Sequence, residues 1–437
     1  MRMMPPRAPD RPLRRPVAAA TALLALTLAS GCGAGDAPDG AATEQVSAIP
    51  TADDVATKVG VPQGKSTEEG SRASRLAVTH EDGVIVLDAI TLTLLGEFPL
   101  EGFTRLSPAG DDRHLFVSEG DGFRLLDLGG YSLPHGDHDH HHATSPTLTT
   151  FTYEASHPGH VVVHDGRTVL YGDGDGRVRS FDSDAMREGA KSLPAADMWT
   201  EENPHHGVAV ERRDGSVVAT SAEGGEASGI VIRDKKGRTV ASTDDCPGTH
   251  GEAAAKGGAL VFGCEDGLLL VKGDRITKVD SPDDYGRIGN QAGSEGSPFV
   301  LGDYKTDPDA ELERPERVSI TDTRDGSLEL VDLPASYSFR SLARGADGEG
   351  VVLGTDGALH VIDPAKGEVT DSIDVIDEWT EPTEWQEPRP TLHVQDGTAY
   401  VTDPRAKTLH MVDLHSGEVI NSGKLPVVPN ELSGTLG

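Results

Sequence analysis

Three short histidine-bearing segments recur at similar places along the chain. Each precedes a β-prone run, a glycine-containing turn and a second apolar run, and the segments are Ser156–His160, Asn203–Gly207 and Pro247–Gly251. Counted back from the last glycine of the turn, His157 and His206 each lie nine residues away and His250 eight. Histidines at one structural position in neighbouring repeats can converge, and three imidazoles with one further position suit tetrahedral zinc. We therefore predict a metal site formed by His157, His206 and His250, and we assign no catalytic residue.

Two neighbouring histidines, His160 and His205, are second choices because they align less well with the repeat. Each is an alternative metal ligand, or a residue that donates a hydrogen bond to one of the ligands. The fourth position stays open between Asp245, Glu252 and water. Imidazoles without thiolate or Met ligands favour Zn(II) over Cu(I), while Ni(II) and Cu(II) fit the same ligand type.

A histidine-rich run lies upstream of these segments. Between His135 and His142 the chain has five histidines and two aspartates within eight residues, and the histidines are His135, His138, His140, His141 and His142. Such tracts bind divalent transition metals weakly and in many geometries. We predict a mobile accessory loop that captures metal; a solubilising loop with no function is the alternative.

Short β-prone runs separated by Asp-Gly and Gly-Gly turns repeat from about residue 72 to the end, and helical periodicity is almost absent. Eight units begin near residues 76, 103, 157, 206, 250, 288, 338 and 390. Four strands per unit and roughly 46 residues per unit are typical of a β-propeller. We predict an all-β chain forming a single propeller over 72–437, with eight blades or, alternatively, seven. The first unit lacks an innermost strand, and we expect Val427–Leu436 to supply it.

The N-terminus resembles a bacterial lipoprotein signal. A basic stretch precedes a short apolar run from Val17 to Leu28, and Ala29-Ser30-Gly31-Cys32 follows as a lipobox. We predict a signal peptide over 1–31, lipidation of Cys32, and a flexible tether over 32–71 because this stretch has few large apolar residues. The expected location is extracytoplasmic, on the outer face of the cell membrane.

Export would leave Cys246 and Cys264 in an oxidising compartment, so a disulfide between them is the default prediction and thiolate metal ligation the alternative. The bridge would hold the segment of His250 in place.

Acidic residues outnumber basic ones by 72 to 39, which gives a formal net charge of −33. Such a surface repels nucleic-acid phosphates and concentrates cations. We therefore expect no nucleic-acid partner, and we expect a monomer.

The propeller pattern, the His/Asp-rich run and the segments HPGH, NPHHG and CPGTHGE resemble the AztD-type zinc metallochaperones of zinc ABC-uptake systems. The resemblance spans the propeller region and implies a protein that binds Zn(II) outside the cytoplasm and passes it to the solute-binding protein of a zinc importer. It assigns the high-affinity site to His157, His206 and His250 and the capture loop to 135–142. The lipobox departs from a freely soluble chaperone and suggests a membrane-tethered form.

Two other classes of function compete with this prediction. Propellers also carry metal-dependent enzymes such as lactonases and other hydrolases, but no nucleophile motif of the Gly-x-Ser-x-Gly kind is present. The third possibility is a scaffold or adhesion propeller that binds no metal.

Overall fold

The computed structural model describes residues 46–62 and 65–437, and this part of the chain consists mainly of strands joined by turns and loops. Two Asp-Gly turns of the sequence close hairpins with positive φ at both residues: Asp165 (φ 50°) with Gly166 (φ 77°), and Asp396 (φ 49°) with Gly397 (φ 75°). Such turns match the twist of antiparallel strands. The predicted signal peptide, Cys32 and the tether up to residue 45 lie outside the described residues.

The first eleven strands form two blades and a small extra sheet. In chain order they are β1 (Thr51–Ala56), β2 (Thr67–Glu69), β3 (Arg75–His80), β4 (Gly83–Asp88), β5 (Leu94–Pro99), β6 (Arg105–Pro108), β7 (His114–Glu119), β8 (Gly122–Asp127), β9 (Gly130–His135), β10 (His138–Ala143) and β11 (Thr147–Glu154).

Blades 3 to 5 follow directly. Their strands are β12 (Pro158–His164), β13 (Arg167–Gly172), β14 (Arg177–Asp182) and β15 (Asp197–Thr200), then β16 (Ala209–Glu211), β17 (Val217–Glu223), β18 (Glu226–Arg233) and β19 (Thr239–Thr243), then β20 (His250–Ala255), β21 (Ala259–Cys264), β22 (Asp266–Lys272), β23 (Arg275–Asp280) and the short β24 (Gly286–Arg287). A 3-10 helix at Ser183–Met186 follows β14.

Blades 6 to 8 complete the ring. Their strands are β25 (Gln291–Ala292), β26 (Phe299–Asp303), β27 (Arg317–Asp322) and β28 (Ser327–Asp332), then β29 (Tyr337–Arg344), β30 (Gly350–Gly354), β31 (Ala358–Asp363) and β32 (Glu368–Asp374), then β33 (Leu392–Gln395), β34 (Thr398–Asp403), β35 (Thr408–Asp413) and β36 (Glu418–Lys424), and finally β37 (Leu432–Thr435).

The strand orders give eight blades. Blades 2 to 8 each contain four antiparallel strands, and their first strands, β6, β12, β16, β20, β25, β29 and β33, lie at one sheet edge. Contacts between first strands of neighbouring blades, such as β12 with β16 and β29 with β33, place these edges at the centre of the ring. The all-β propeller prediction is confirmed, and the count is eight and not seven.

The ring closes through the C-terminus. β37 pairs antiparallel with β3, from Arg75 opposite Thr435 to Val78 opposite Leu432, so the end of the chain supplies the innermost strand of blade 1. The expectation for the last residues of the chain is therefore confirmed.

Two predictions about chain flexibility need correction. The predicted tether up to residue 71 is too long, because β1 pairs in parallel with β5 at the outer edge of blade 1 and β2 pairs with β10. The histidine-rich run is not a free loop: β9 and β10 form a hairpin with a turn at Gly136-Asp137. Backbone pairing stabilises both segments although their side chains are largely polar and exposed.

Apolar side chains of adjacent blades pack against one another between the sheets. One such cluster joins blades 3, 4 and 5, and it includes Tyr171, Val210 and Phe262, all almost fully buried. Sheets stacked in this way fix the relative positions of their inner strands. No helix within the described residues combines the length and apolar character of a membrane span.

Candidate metal centre

Three imidazoles from blades 3, 4 and 5 converge at one end of the central channel. His160 belongs to β12, His206 lies in the segment that leads into β16, and His250 is the first residue of β20. Their ring centroids are 4.8 Å apart for His160 and His206, 5.0 Å for His206 and His250, and 5.8 Å for His160 and His250. We call this group the trio. Its ligand nitrogens lie within 4.8 Å of one another.

Hydrogen bonds on the outer side of each ring orient the trio. Nδ1 of His160 lies 3.0 Å from the carbonyl oxygen of Gly207, and Nδ1 of His250 lies 2.5 Å from that of Gly289. Nδ1 of His206 lies 2.5 Å from Oδ2 of Asp173. Carbonyl and carboxylate oxygens only accept hydrogen bonds, so each Nδ1 carries a proton and each ring presents its Nε2 to the centre.

The spacing of these Nε2 atoms fits a tetrahedral metal ion. Nε2 of His206 lies 3.1 Å from Nε2 of His250. Two nitrogens bound to one tetrahedral zinc at 2.0–2.1 Å would be roughly 3.3 Å apart. Two lone pairs that face each other at this distance repel unless a proton or a metal ion lies between them, so a metal ion can take the place of a shared proton.

Burial keeps two of the three rings neutral. It lowers the pKa of His160 to about 3, with smaller contributions from the nearby His206 and His250, and it lowers the pKa of His250 to about 4. The side chain of His206 is 53% exposed, so the site is open to solvent on this side. Neutral imidazoles are the form that binds metal.

The carboxylate of Asp173 reaches His206 because the residue packed against it, Gly159, has no side chain. A Cβ on Gly159 would lie 2.1 Å from Oδ1 of Asp173, so only glycine permits this approach. The amide of Asp173 donates to the carbonyl of His157, and its Oδ1 lies 3.4 Å from the amide nitrogen of Gly207. The residue therefore links the turn after β13 to the segment of His206. The role of Asp173 was not predicted from the sequence, because this residue lies in blade 3 and the histidine that it orients lies in blade 4.

His157, the first choice in blade 3, is not part of the trio and His160 takes its place. His157 is exposed, has φ +50°, and its Nδ1 lies 3.4 Å from Oγ of Ser156. The prediction counted residues back from the glycine turn that follows each inner strand. This count was misleading because the turns differ in length: the loops after β12, β16 and β20 contain two, five and three residues. Counted from the last residue of each inner strand, His160 lies four residues back and His206 and His250 five. That count would have selected His160.

The other second choice, His205, lies in a buried hydrogen-bond network. It is buried, its Nδ1 lies 2.7 Å from the carbonyl of Asn203, and its Nε2 lies 2.8 Å from Oγ1 of Thr220. Both ring nitrogens are engaged in this network, so His205 does not join the trio.

No carboxylate in the described part of the chain joins the trio as a fourth member. The two acidic candidates lie elsewhere. The backbone carbonyl of Asp245 accepts from Nζ of Lys278, and the Asp245 side chain is exposed. Glu252 lies on β20, two residues beyond His250, where burial raises its pKa to about 8. Of the alternatives left open by the sequence, water remains for the fourth position.

A second histidine group lies on the hairpin of β9 and β10. The rings of His135, His138 and His140 are 5.0–5.2 Å apart between centroids, and Nε2 of His140 lies 3.2 Å from Nδ1 of His135. Nδ1 of His140 lies 2.6 Å from Oε1 of Glu68 on β2, which orients this ring as Asp173 orients His206. We call this group the hairpin cluster. It lies at the surface and could hold a second metal ion.

The remaining two histidines of the run do not join the hairpin cluster. Nδ1 of His141 lies 2.8 Å from Oγ of Ser132, and the ring of His142 stacks on Tyr131 at 5.0 Å. Strand alternation explains His141, because successive side chains of β10 point to opposite faces. The five-histidine loop predicted from the sequence is therefore a three-histidine group.

The predicted disulfide between Cys246 and Cys264 is present. It joins the segment before β20 to the end of β21, and both sulfurs are buried. Thr249 donates to the carbonyl of Cys246 over 2.6 Å, and His250 pairs with Gly263. The bridge therefore lies directly behind His250 and leaves neither thiol free to bind metal.

The chain is homologous to a zinc chaperone. It is 28% identical over 364 residues to the zinc chaperone AztD of Citrobacter koseri, which covers 80% of this chain and 83% of that protein. The crystal structure of Citrobacter koseri AztD superimposes with a TM-score of 0.72 at 26% identity, over 84% of this chain and 99% of the other. The apo form of that protein gives 0.71 at 25% identity, with the same coverage.

A more distant likeness concerns the fold alone. The dihydro-heme d1 dehydrogenase NirN superimposes with a TM-score of 0.52 at 12% identity, over 83% of this chain and 74% of the other. No family model matches the chain.

Proposed function

We propose that this homologue of AztD is an extracytoplasmic zinc metallochaperone, which captures Zn(II) and delivers it to the solute-binding protein of a zinc ABC importer. The observation that carries the proposal is the trio, in which three Nδ1 atoms are held by oxygen acceptors and three Nε2 atoms face one centre. The homology to a zinc chaperone supports the choice of zinc and of a carrier function.

The trio is suited to hold zinc that must later leave. Three neutral imidazoles bind zinc strongly, and the exposed face of His206 gives a partner protein access to the metal. A partner ligand can occupy the fourth position before the trio releases the ion, so zinc would pass by ligand exchange and not as free ion.

The hairpin cluster serves as the capture site in this proposal. Its three rings are more exposed than the trio, and the negative surface of the chain raises the local concentration of cations. Surface sites exchange metal quickly, so the cluster would bind zinc first and more weakly than the trio.

The N-terminal lipobox adds a membrane anchor to the proposal. Lipidation at Cys32 would hold the propeller close to the outer face of the membrane, where the importer and its solute-binding protein lie. The residues between Cys32 and the first described residue at 46 would connect the anchor to blade 1.

A transfer experiment tests the function. The chain is loaded with one equivalent of zinc and mixed with the apo solute-binding protein of a zinc importer, with and without a small-molecule chelator in excess. We expect zinc to reach the acceptor at nearly the same rate and yield in both cases, because direct transfer avoids the free ion. Capture of all the zinc by the chelator would contradict delivery. A His157→Ala variant is the control and should transfer normally.

A further inference from the structure

An exposed tryptophan lies on the face of the propeller that carries the trio. Trp385 belongs to the segment between β32 and β33, and its side chain is 51% exposed. This segment leads into the inner strand of blade 8, and the trio likewise lies where the inner strands of blades 3, 4 and 5 begin. Tryptophan is enriched among the residues that contribute most to protein–protein binding. The indole is therefore placed to contact a protein that approaches the trio.

Hydrogen bonds hold the backbone around this tryptophan. Residues 383–388 are all exposed, but the buried guanidinium of Arg389 donates to the carbonyl of Glu384 over 2.7 Å. Nδ2 of Asn430, which precedes the inner strand of blade 1, donates to the carbonyl of Gln386 over 3.0 Å. The segment is thus tied to two blades. A segment that is already ordered loses little conformational entropy when it binds a partner.

The ring of Trp385 packs against Phe103, which lies in the segment that leads into blade 2. The two ring centroids are 5.0 Å apart, and the rings meet edge to face at 77°. This contact spans blade 1, because the tryptophan precedes blade 8 and the phenylalanine precedes blade 2. It fixes the orientation of the indole, whose remaining surface faces solvent.

An acidic cleft of about 660 Å³ adjoins this aromatic pair between blades 1 and 2. Glu101, two residues before Phe103, contributes to its lining, as do Glu119 and Asp121 at the turn between β7 and β8. Arg124 also lines the cleft, but it pairs with Glu119 at 3.1 Å. The exposed carboxylates of Glu101 and Asp121 therefore leave the cleft negative.

The charge around the indole indicates the kind of partner. Glu384 and Glu387 flank Trp385, and residues 383–388 contain no Lys or Arg. Opposite charges across an interface speed encounter and exclude wrong partners. A second copy of this chain, bound through the same surface about a two-fold axis, would bring like charges together. The surface therefore fits a protein with a basic face and an apolar recess for the indole.

We propose that Trp385, Glu384, Glu387 and the acidic cleft form a docking surface for the protein that accepts zinc from the trio. The acceptor would present a basic face with an apolar recess that receives the indole. This inference rests on the proposed function, because it identifies where the acceptor binds. The docking surface and the trio lie at the same end of the channel, so a protein bound here would cover the mouth at which His206 is exposed.

The kinetics of zinc transfer to the apo solute-binding protein of a zinc importer test the docking surface. The transfer rate is measured against acceptor concentration for the zinc-loaded parent, Trp385→Ala and Ile420→Ala. Ile420 is equally exposed at 51%, but it lies on the outer strand of blade 8 and is the matched control. We expect Trp385→Ala to raise the half-saturating acceptor concentration roughly thirtyfold, the loss typical of an aromatic hot spot. The rate at saturation and the zinc affinity should not change, because the trio is intact.

The same assay at two ionic strengths tests the charge of the docking surface. Glu384→Gln/Glu387→Gln should slow association severalfold at low salt and less at high salt, because salt screens exposed charges. Glu418→Gln removes an exposed carboxylate at the start of β36, outside the docking surface, and should associate like the parent.

Transfer from Trp385→Ala with the half-saturating concentration of the parent would overturn the docking surface and leave the proposed function intact. Absence of transfer from the parent at every acceptor concentration would contradict the proposed function and the docking surface together. Sedimentation of the chain alone covers the remaining occupant. A dimer in the parent that is lost in Trp385→Ala would assign this surface to a second copy and overturn the inference.

Discussion

Asp173 shows how much of the candidate zinc site depends on residues that would not touch the metal. Its carboxylate holds Nδ1 of His206, the most exposed ring of the trio, and thereby fixes both the proton and the direction of Nε2. Hydrogen-bond partners of this kind raise the basicity of a ligand and restrict its rotation. Since His160 and His250 are held by backbone carbonyls, Asp173 is the side chain through which mutation can test this orientation.

We predict that Asp173→Asn weakens zinc binding at the trio by roughly tenfold to one hundredfold, the range observed for such partners. The amide keeps the size of the carboxylate, so the melting temperature should change little. Competition with a chromophoric chelator measures the affinity. Asp175→Asn, in the same turn, is the control and should bind zinc normally. An unchanged affinity in Asp173→Asn would show that His206 orients itself without this partner.

The trio could be predicted from the sequence only in part. The repeats identified His206 and His250 and the three neighbouring blades, because hairpin turns mark strand positions well. The error at His157 arose because a glycine turn marks the end of a loop, and loop lengths differ between blades. The role of Asp173 depends on a contact between blades 3 and 4, which no pattern within one repeat reveals.

At the scale of the element, the hairpin of β9 and β10 and the inner segments of blades 3, 4 and 5 present the two histidine groups on ordered backbone. The composition of 46–71 and of the histidine-rich run predicted flexibility, since neither can bury much apolar surface. Pairing of β2 with β10 and of β1 with β5 orders them instead. Such pairing between distant segments is not visible in local composition.

The disulfide between Cys246 and Cys264 stabilises the segment that contains His250. Bridged cysteines 18 residues apart restrict the unfolded chain by about 3 kcal/mol in the entropic account of disulfides. We predict that Cys246→Ser/Cys264→Ser lowers the free energy of unfolding by about this amount and also weakens zinc binding, because the Thr249 and His250 segment loses its support. Urea denaturation and chelator competition measure the two effects. Lower stability with unchanged zinc affinity would mean that β20 holds His250 without the bridge.

At the scale of the whole molecule, closure of the ring fixes the positions of the inner strands relative to one another. The last strand of the chain pairs with β3, so blade 1 contains both ends of the described propeller. The trio draws on blades 3, 4 and 5, and the relative positions of these blades are fixed by packing around the ring. The sequence predicted this closure correctly, because the first unit was one strand short.

Removal of Leu432–Gly437 should therefore destabilise the whole propeller and not only blade 1. We predict a large drop in the calorimetric melting temperature, because the deletion exposes the edge of β3 and opens the ring. Replacement of the exposed Val428 by Ser, just before β37, is the control and should melt like the parent. A truncated chain that melts like the parent would show that packing between blades suffices without closure.

The most direct test of the central claim is the zinc content of the purified chain, measured by mass spectrometry after mild chelation. His160→Ala, His206→Ala and His250→Ala are compared with His157→Ala, a matched histidine that lies three residues from His160 and outside the trio. If the trio is the tight zinc site, the parent and His157→Ala retain about one zinc and the three trio variants retain none. Loss of zinc in His157→Ala with retention in His160→Ala, or no retained zinc in the parent, would contradict the account.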